Sequence, residues 1–260
     1  MQQIRAKKHL GQHFLKDEKI CERISLTFSR HQNCQHVLEI GPGMGALSHY
    51  LFLQEDLHVV LMDIDEESVN FLHEKYPDKK EQILYGDFLR LHPDSYFPNV
   101  NFSVVGNFPY NISSQILFKC LEFRNRIPEI MGMFQKEVAV RVAEKPGSKE
   151  YGITSVLLQA FYDIEYCFTV DEHVFSPPPK VKSGVIRCTR NNRESLSCDE
   201  KLFFQVVKMA FNQRRKTLRN SLKQLLKGHE LPAKFQQERP EQLSVSDFEE
   251  LTLFIESIKD

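Results

Sequence analysis

The chain predicts an α/β fold built on a mostly parallel sheet, followed by a small all-α domain, and three observations carry that prediction. Short apolar runs that stop abruptly at Gly or Asp alternate with stretches whose apolar residues recur at helical spacing, the pattern of buried strands covered by helices. The alternation ends near residue 190, where the polar stretch NNRESLSCDE reads as a linker. With 260 residues and 41% hydrophobic content, the chain can bury one sizeable core and carry a small appended domain.

Residues 36–40 (HVLEI) stop at Gly41 and residues 58–62 (HVVLM) stop at Asp63, so both read as strands of a parallel sheet. Between them Met44, Leu47, Leu51 and Phe52 recur at helical spacing, and Val69, Phe71 and Leu72 repeat the pattern within residues 66–76. Strand-like runs at 82–85, 102–106 and 130–134 continue the series, with helical stretches at 113–121 and 137–144. Residues 161–170 and 184–190 are separated by the Pro-rich VFSPPPKVKS instead of a helix, which predicts an antiparallel pair at the sheet edge. The boundary near residue 190 divides the chain into domains 1–190 and 191–260. From residue 201 onward the pattern is helical throughout, with apolar stripes at Phe203, Val206, Val207, Ala210 and Phe211, then Leu218, Leu222, Leu225 and Leu226.

Composition narrows the function classes. No apolar stretch approaches the roughly 18 residues of a membrane-spanning helix, and the basic start MQQIRAKKHLGQHF lacks the apolar segment of a secretory signal. A cytoplasmic protein with no membrane partner is the expectation, and a monomer. The 6 Cys are scattered with no CxxC pair, which predicts reduced thiols and no metal site. The net charge of −1 conceals a polarity: residues 201–227 hold eight Lys or Arg and no acid, whereas residues 228–260 hold eight acids and three bases. One basic surface follows.

Glu39-Ile40-Gly41-Pro42-Gly43-Met44-Gly45 follows the first strand and opens a helix, as in a Rossmann-like nucleotide site where glycines let the backbone approach a ligand. The turn also satisfies the dinucleotide fingerprint as Gly41-x-Gly43-x-x-Ala46, with Asp63 about twenty residues on, so an NAD enzyme competes at this point. Two features favour S-adenosylmethionine: Glu39 before the first glycine, near a positively charged ligand, and the later Tyr85-Gly86-Asp87-Phe88. Asp63 suits the ribose diol, with Asp65 as the alternative, and Asp87, flanked by Phe88, suits the adenine amine. The lesser alternative for Asp87 is to cap a helix over FLRL.

Asn107-Phe108-Pro109-Tyr110 ends the fourth strand, at the sheet edge that faces the same crevice. A nucleobase amine is a poor nucleophile, because its lone pair is delocalised into the ring. An Asn side-chain oxygen and the Phe108 carbonyl, held rigid by Pro109, can accept its two hydrogens and draw the lone pair back, while Tyr110 stacks on the base. The competing reading is a rigid strand-to-helix turn capped by Asn107. Phe175 is the candidate second aromatic around an extruded base, or an ordinary core residue.

These segments resemble the ribosomal RNA adenine N6,N6-dimethyltransferase family, and closely its branch acting on 16S RNA. The resemblance covers nearly the whole chain through KKHLGQHFL (7–15), EIGPGMGALS (39–48), GDF (86–88), NFPYNISS (107–114), QKEVAVR (135–141), FSPPPKVKSGVIR (175–187) and AFNQRRKTLRNSL (210–222). It implies a seven-stranded S-adenosylmethionine-dependent methyltransferase domain and a small helical domain. The implied reaction dimethylates two adjacent adenosines in the last hairpin loop of 16S ribosomal RNA within the small subunit, leaving S-adenosylhomocysteine. His13, Leu15, Gly41, Asp63, Asp87 and Asn107 are implied in cofactor binding, with Asn107 and Tyr110 at the reacting amine; Gly43 and Phe88 join the cofactor set, and Pro109 the acceptor turn, on the reading of the residues alone. Nothing but the resemblance points to His13 and Leu15. Phe108 stands where the family commonly has Leu, and Asp63 where it commonly has Glu.

The basic stretch Arg214, Arg215, Lys216, Arg219, Lys223 and Lys227, extended by Lys7 and Lys8, fits phosphate contact with folded RNA, against the alternative of a solvated helical face. Two further readings stay open: an enzyme methylating 23S RNA of the macrolide-resistance type, and a nonenzymatic ribosome-assembly factor.

Overall fold

The structure is a computed structural model and describes residues 4–258. In chain order the elements up to residue 190 are β1 (Phe14–Leu15), α1 (Glu18–Thr27), β2 (His36–Ile40), α2 (Ala46–Phe52), β3 (His58–Asp63), α3 (Glu66–Lys75), β4 (Ile83–Tyr85), β5 (Ser103–Asn107), α4 (Ser113–Glu122), β6 (Glu129–Gln135), α5 (Lys136–Ala143), α6 (Ile153–Gln159), β7 (Tyr162–Val170), β8 (Phe175–Ser176) and β9 (Ser183–Arg190). After them come α7 (Glu200–Asn212), α8 (Leu218–Ser221), α9 (Lys223–Leu226) and α10 (Val245–Ser257).

The main sheet has seven strands in the order β4-β3-β2-β5-β6-β9-β7. β4, β3, β2, β5 and β6 are parallel, and β9 turns antiparallel against β6. The predicted late pair therefore takes the edge, with β9 and β7 as neighbours there. The short β1 and β8 form their own antiparallel pair, joining Leu15 to Phe175. Central strands are apolar on both faces, as helices on both sides of a sheet require: Val37, Leu38, Val104, Val105, Ile130 and Met131 are all fully buried. Each such side chain contributes roughly 1.5–3 kcal/mol relative to exposure.

Helix starts are set by side chains that accept the free amides of the first turn. Asp17 accepts from Ile20 N, Asp65 from Glu67 N, Asp199 from Leu202 N, and Ser244 forms a reciprocal cap with Asp247. Neither α1 nor α6 is among the elements expected from the sequence.

Two compact units result. One comprises the chain up to Ala139 together with Ile164–Arg190, and the other comprises Val140–Asp163 and the chain from Asn191 onward. The division differs from a single cut at residue 190, because residues 140–163 pack with the C-terminal helices. Tyr151 meets the Phe211 ring edge-on at 6.2 Å, and Gly147 N donates to Glu241 O at 2.7 Å. The expectation of continuous helix beyond residue 201 is also corrected: α7 ends at Asn212, and residues 213–216 form a turn closed by Lys216 N donating to Gln213 O. Arg214, Arg215 and Lys216 thus ride on a turn, not on a helix.

Candidate active site

Parallel register builds the site. Ile40 is paired with Met62 and Glu39 with Val105, so Gly41, Asp63 and Asn107 leave the sheet at one level, with Tyr85 opposite Asp63 on the next strand. The cleft above that edge is lined by Glu39, Gly41, Gly43, Asp63, Asp87, Asn107, Phe108, Pro109 and Tyr110, and by His13 and Leu15 from the N-terminal segment.

The glycine turn needs its glycines. Gly41 and Gly43 have φ of +67° and +54°, and a Cβ at Gly43 would lie 2.8 Å from the Phe14 ring. Gly41 N donates to Met62 O at 2.9 Å, and Gly43 N donates to the Asp63 carboxylate at 3.2 Å. From behind, Lys75 Nζ donates to the Met44 and Gly45 carbonyls at 3.0 and 3.2 Å, and the Tyr76 hydroxyl donates to Gly45 O at 3.3 Å. Neither residue was singled out in the sequence.

Three carboxylates enter the cleft under different constraints. Glu39 is 2% exposed, its Oε2 has no hydrogen-bond partner, and burial pushes its carboxyl up to about 8. Burial also raises Asp63, to about 6, against the lowering effect of amide donors from Asp65 and Gly43. Asp87 accepts from Leu89 N at 2.9 Å and pairs with Arg90 at 3.2 Å, so it caps its turn while lining the cleft. Asp65 is occupied elsewhere. It caps α3 and accepts from Lys7 Nζ at 2.6 Å and Gln12 Nε2 at 3.0 Å, and it does not line the cleft.

The Asn107 side chain is oriented by the chain's own backbone. Its Nδ2 donates to His13 O at 2.9 Å, which leaves Oδ1 as the free acceptor of the amide. Phe108 N donates to Met133 O at 3.1 Å, while the Phe108 carbonyl has no partner among the described residues. Its ring fills the space over Gly132, where a Cβ would come within 2.2 Å of it, and packs on Phe134 at 4.9 Å. A residue larger than Leu is thereby accommodated. Tyr110 shares a 2.5 Å hydrogen bond with Ser183 Oγ and lies near-parallel to the His13 ring, 5.5 Å between centroids.

Three sequence expectations change. Phe175 is 1% exposed and belongs to the core, because its pairing with Leu15 turns it inward, so it is not a second aromatic in the cleft. Phe88 is likewise buried, and Leu89 lines the cleft in its place. Lys7 is committed to Asp65 and to Glu67 at 3.1 Å instead of standing free with Lys8, which is exposed. In the second unit Arg215, Lys216, Arg219 and Lys223 are exposed, whereas Arg214 is half-buried and donates to Ser148 O at 3.3 Å. Among the described residues no helix is long and apolar enough to cross a membrane, and no group of His, Cys, Asp or Glu stands ready to hold a metal.

The model of the ribosomal RNA adenine dimethylase family matches residues 3–257 of the chain. A ribosomal RNA small subunit methyltransferase A of Flavobacterium johnsoniae is 57% identical over 258 residues, covering 99% of this chain and 98% of the relative. The protein of that description from Cytophaga hutchinsonii is 55% identical over 253 residues, covering 97% and 98%. Among solved structures, a dimethyladenosine transferase from Plasmodium falciparum shares the fold with a TM-score of 0.77 at 23% identity, covering 94% of this chain and 98% of that one. The 23S rRNA methyltransferase ErmE is 27% identical with a TM-score of 0.66, covering 92% and 99%.

The buried carboxylates make stability depend on pH in a defined direction. Glu39 and Asp63 have folded values above their ordinary 4.5 and 3.8, so the folded chain holds these protons more tightly and loses stability as pH rises toward 8 and 6 respectively. The ligand-free protein is expected to melt about 5–10 °C lower at pH 8 than at pH 5, with Glu39→Gln removing most of the fall above pH 6. Melting curves across that range check it, and an unchanged slope in the variant contradicts it.

Proposed function

The chain belongs to the ribosomal RNA adenine dimethylase family, and on that premise we propose that it dimethylates the N6 amines of two adjacent adenosines in the 3′-terminal hairpin loop of 16S ribosomal RNA, in the small subunit. The methyl donor is S-adenosylmethionine. The observation that carries the reading is the pair of unsatisfied acceptors at the end of β5, Asn107 Oδ1 and the Phe108 carbonyl.

The cleft's donor set fits S-adenosylmethionine. The unpartnered Glu39 oxygen and the glycine turn suit a methionine end that carries an ammonium, Asp63 suits a ribose diol, and Asp87 suits an adenine amine. A left-handed Gly41 and Gly43 with no Cβ keep the approach open. Leu15 and His13 close the cleft from the N-terminal side. Bound there, the cofactor supplies an electrophilic methyl on a positively charged sulfur.

The chain's own work is orientation and charge placement. Asn107 Oδ1 and Phe108 O accept the two N6 hydrogens, which concentrates the lone pair on nitrogen. Pro109 keeps the two acceptors rigid relative to each other, and Tyr110 supplies a face for the base. A separate general base is not needed, because the nitrogen becomes cationic once it has taken the methyl, and in that state it is strongly acidic and loses a proton to water. The small-subunit target is supported by relatives at 55% and 57% identity, against 27% for the large-subunit enzyme. Exposed Arg215, Lys216, Arg219 and Lys223 supply phosphate contacts that position without reading sequence. The protein is taken to act as a cytoplasmic monomer, where ribosomal subunits are assembled.

Asn107→Ala is expected to lower methyl transfer to undermethylated small subunits by about 10²–10³-fold, with a much smaller loss of cofactor affinity. Wild-type transfer by that variant overturns the assignment. Replacing Arg215, Lys216 and Arg219 together with Ala should weaken subunit binding and reduce the slope of log K against log salt by roughly two to three. A slope equal to that of the parent protein removes these residues from the RNA surface.

A further inference from the structure

We propose that Ser183 is a positioning residue that sets how far the reaction proceeds: its hydroxyl holds the Tyr110 ring, and that hold governs the second methyl transfer to a given amine more than the first. The inference rests on the reading that the target adenine stacks on Tyr110.

Ser183 is fully buried and is the first residue of β9, opposite Gln135 in the antiparallel ladder. The ladder is continued beyond it by Lys136 N donating to Lys182 O at 2.9 Å. Its hydroxyl is therefore fixed by the sheet. The 2.5 Å contact with the Tyr110 hydroxyl anchors the far end of a ring whose near end is fixed by the turn, where Ile112 N donates to Pro109 O and Ser113 Oγ donates to Tyr110 O, each at 3.2 Å. With both ends tied, the ring loses the two torsions that would let it tilt.

The same segment holds the neighbouring ring. His13 Nδ1 donates to Pro177 O at 2.8 Å, and the His13 ring lies at 30° to Tyr110. The Pro-rich stretch between Phe175 and Ser183 thus bears on the acceptor site through a carbonyl at one end and a hydroxyl at the other, not through the Phe175 ring. Because the Tyr110 hydroxyl is already engaged, Tyr110 serves the base by its ring alone, and the amine is left to Asn107 Oδ1 and Phe108 O.

Hydrogen counting then separates the two transfers. At the first, the amine offers two N–H hydrogens to two acceptors, and these bonds orient it. At the second, the nitrogen carries a methyl and one hydrogen, so one orienting bond is gone. Orientation at that step falls more heavily on the stacked ring, and loosening the ring must slow the second transfer more. A general loss of packing would slow both alike.

The test is a time course of mono- and dimethyladenosine formed by the 260-residue chain on undermethylated small subunits with saturating S-adenosylmethionine. Ser183→Ala should raise the ratio of mono- to dimethyladenosine by roughly fivefold or more, the scale of one lost hydrogen bond, with cofactor affinity within about twofold. Ser183→Thr keeps the hydroxyl and should restore the parent ratio. Tyr110→Phe should match Ser183→Ala, and the double variant should be no worse than either. Tyr110→Phe also carries the test alone should Ser183→Ala fail to fold. Equal slowing of both steps, an unchanged ratio, or an effect of Ser183→Ala that persists beside Tyr110→Phe overturns the proposal. A parent protein that forms no methyladenosine at all overturns the functional reading itself.

Discussion

The register of three parallel strands is the constraint from which the site follows. Strands lie about 4.8 Å apart, and pairing Ile40 with Met62 and Glu39 with Val105 brings Gly41, Asp63 and Asn107 to the carboxyl edge side by side. A slip of one residue in β5 would turn Asn107 to the opposite face and remove the acceptor from the cleft. The apolar residues that hold this register, Val37, Val104 and Val105 among them, are fully buried and do not line the cleft, yet they set the distance between the glycine turn and the turn at Asn107–Tyr110.

Onto that edge the chain adds a segment that the α/β alternation does not account for. Residues 10–15 line the cleft, and the stretch from Lys7 to Leu15 is tied along its length, by Lys7 and Gln12 to Asp65, by the Asn107 amide to the His13 carbonyl, and by Leu15 to Phe175. Through these bonds the direction of the Asn107 amide is decided by the N-terminus. The site also buries ionisable groups at a cost. Glu39 and Asp63 are buried where ionisation is unfavourable, which is tolerable in a place that receives a cationic ligand and wasteful elsewhere.

The strands and the two turns were legible because each is local: apolar runs ending on Gly or Asp, and Asn-x-Pro-Tyr closing one of them. Asp63 against Asp65 was undecided in sequence, since two carboxylates two residues apart carry the same chemistry. The structure separates them by engaging Asp65 with Lys7, Gln12 and the start of α3. Phe175 was open in sequence between a cleft aromatic and a core residue, since an aromatic beside a Pro-rich loop fits either, and its burial beside Leu15 in the β1–β8 pair shows it in the core. Ser183, Lys75 and Tyr76 left no sequence signal, as a hydroxyl 73 residues from Tyr110 and a Lys 31 residues from Met44 meet their partners only in three dimensions. The break after α7 was hidden because residues 213–216 are polar and fit either a helix face or a turn.

The proposed chemistry rests on two carbonyl oxygens, Asn107 Oδ1 and Phe108 O, holding a nucleobase amine beside a cationic methyl donor. Nucleoside analysis of 16S RNA, after undermethylated small subunits are incubated with the protein and labelled S-adenosylmethionine, tests this most directly. Label is expected in N6,N6-dimethyladenosine at two adjacent positions of the 3′-terminal hairpin. Label confined to large-subunit RNA, to a ribose or to a base other than adenine would contradict it.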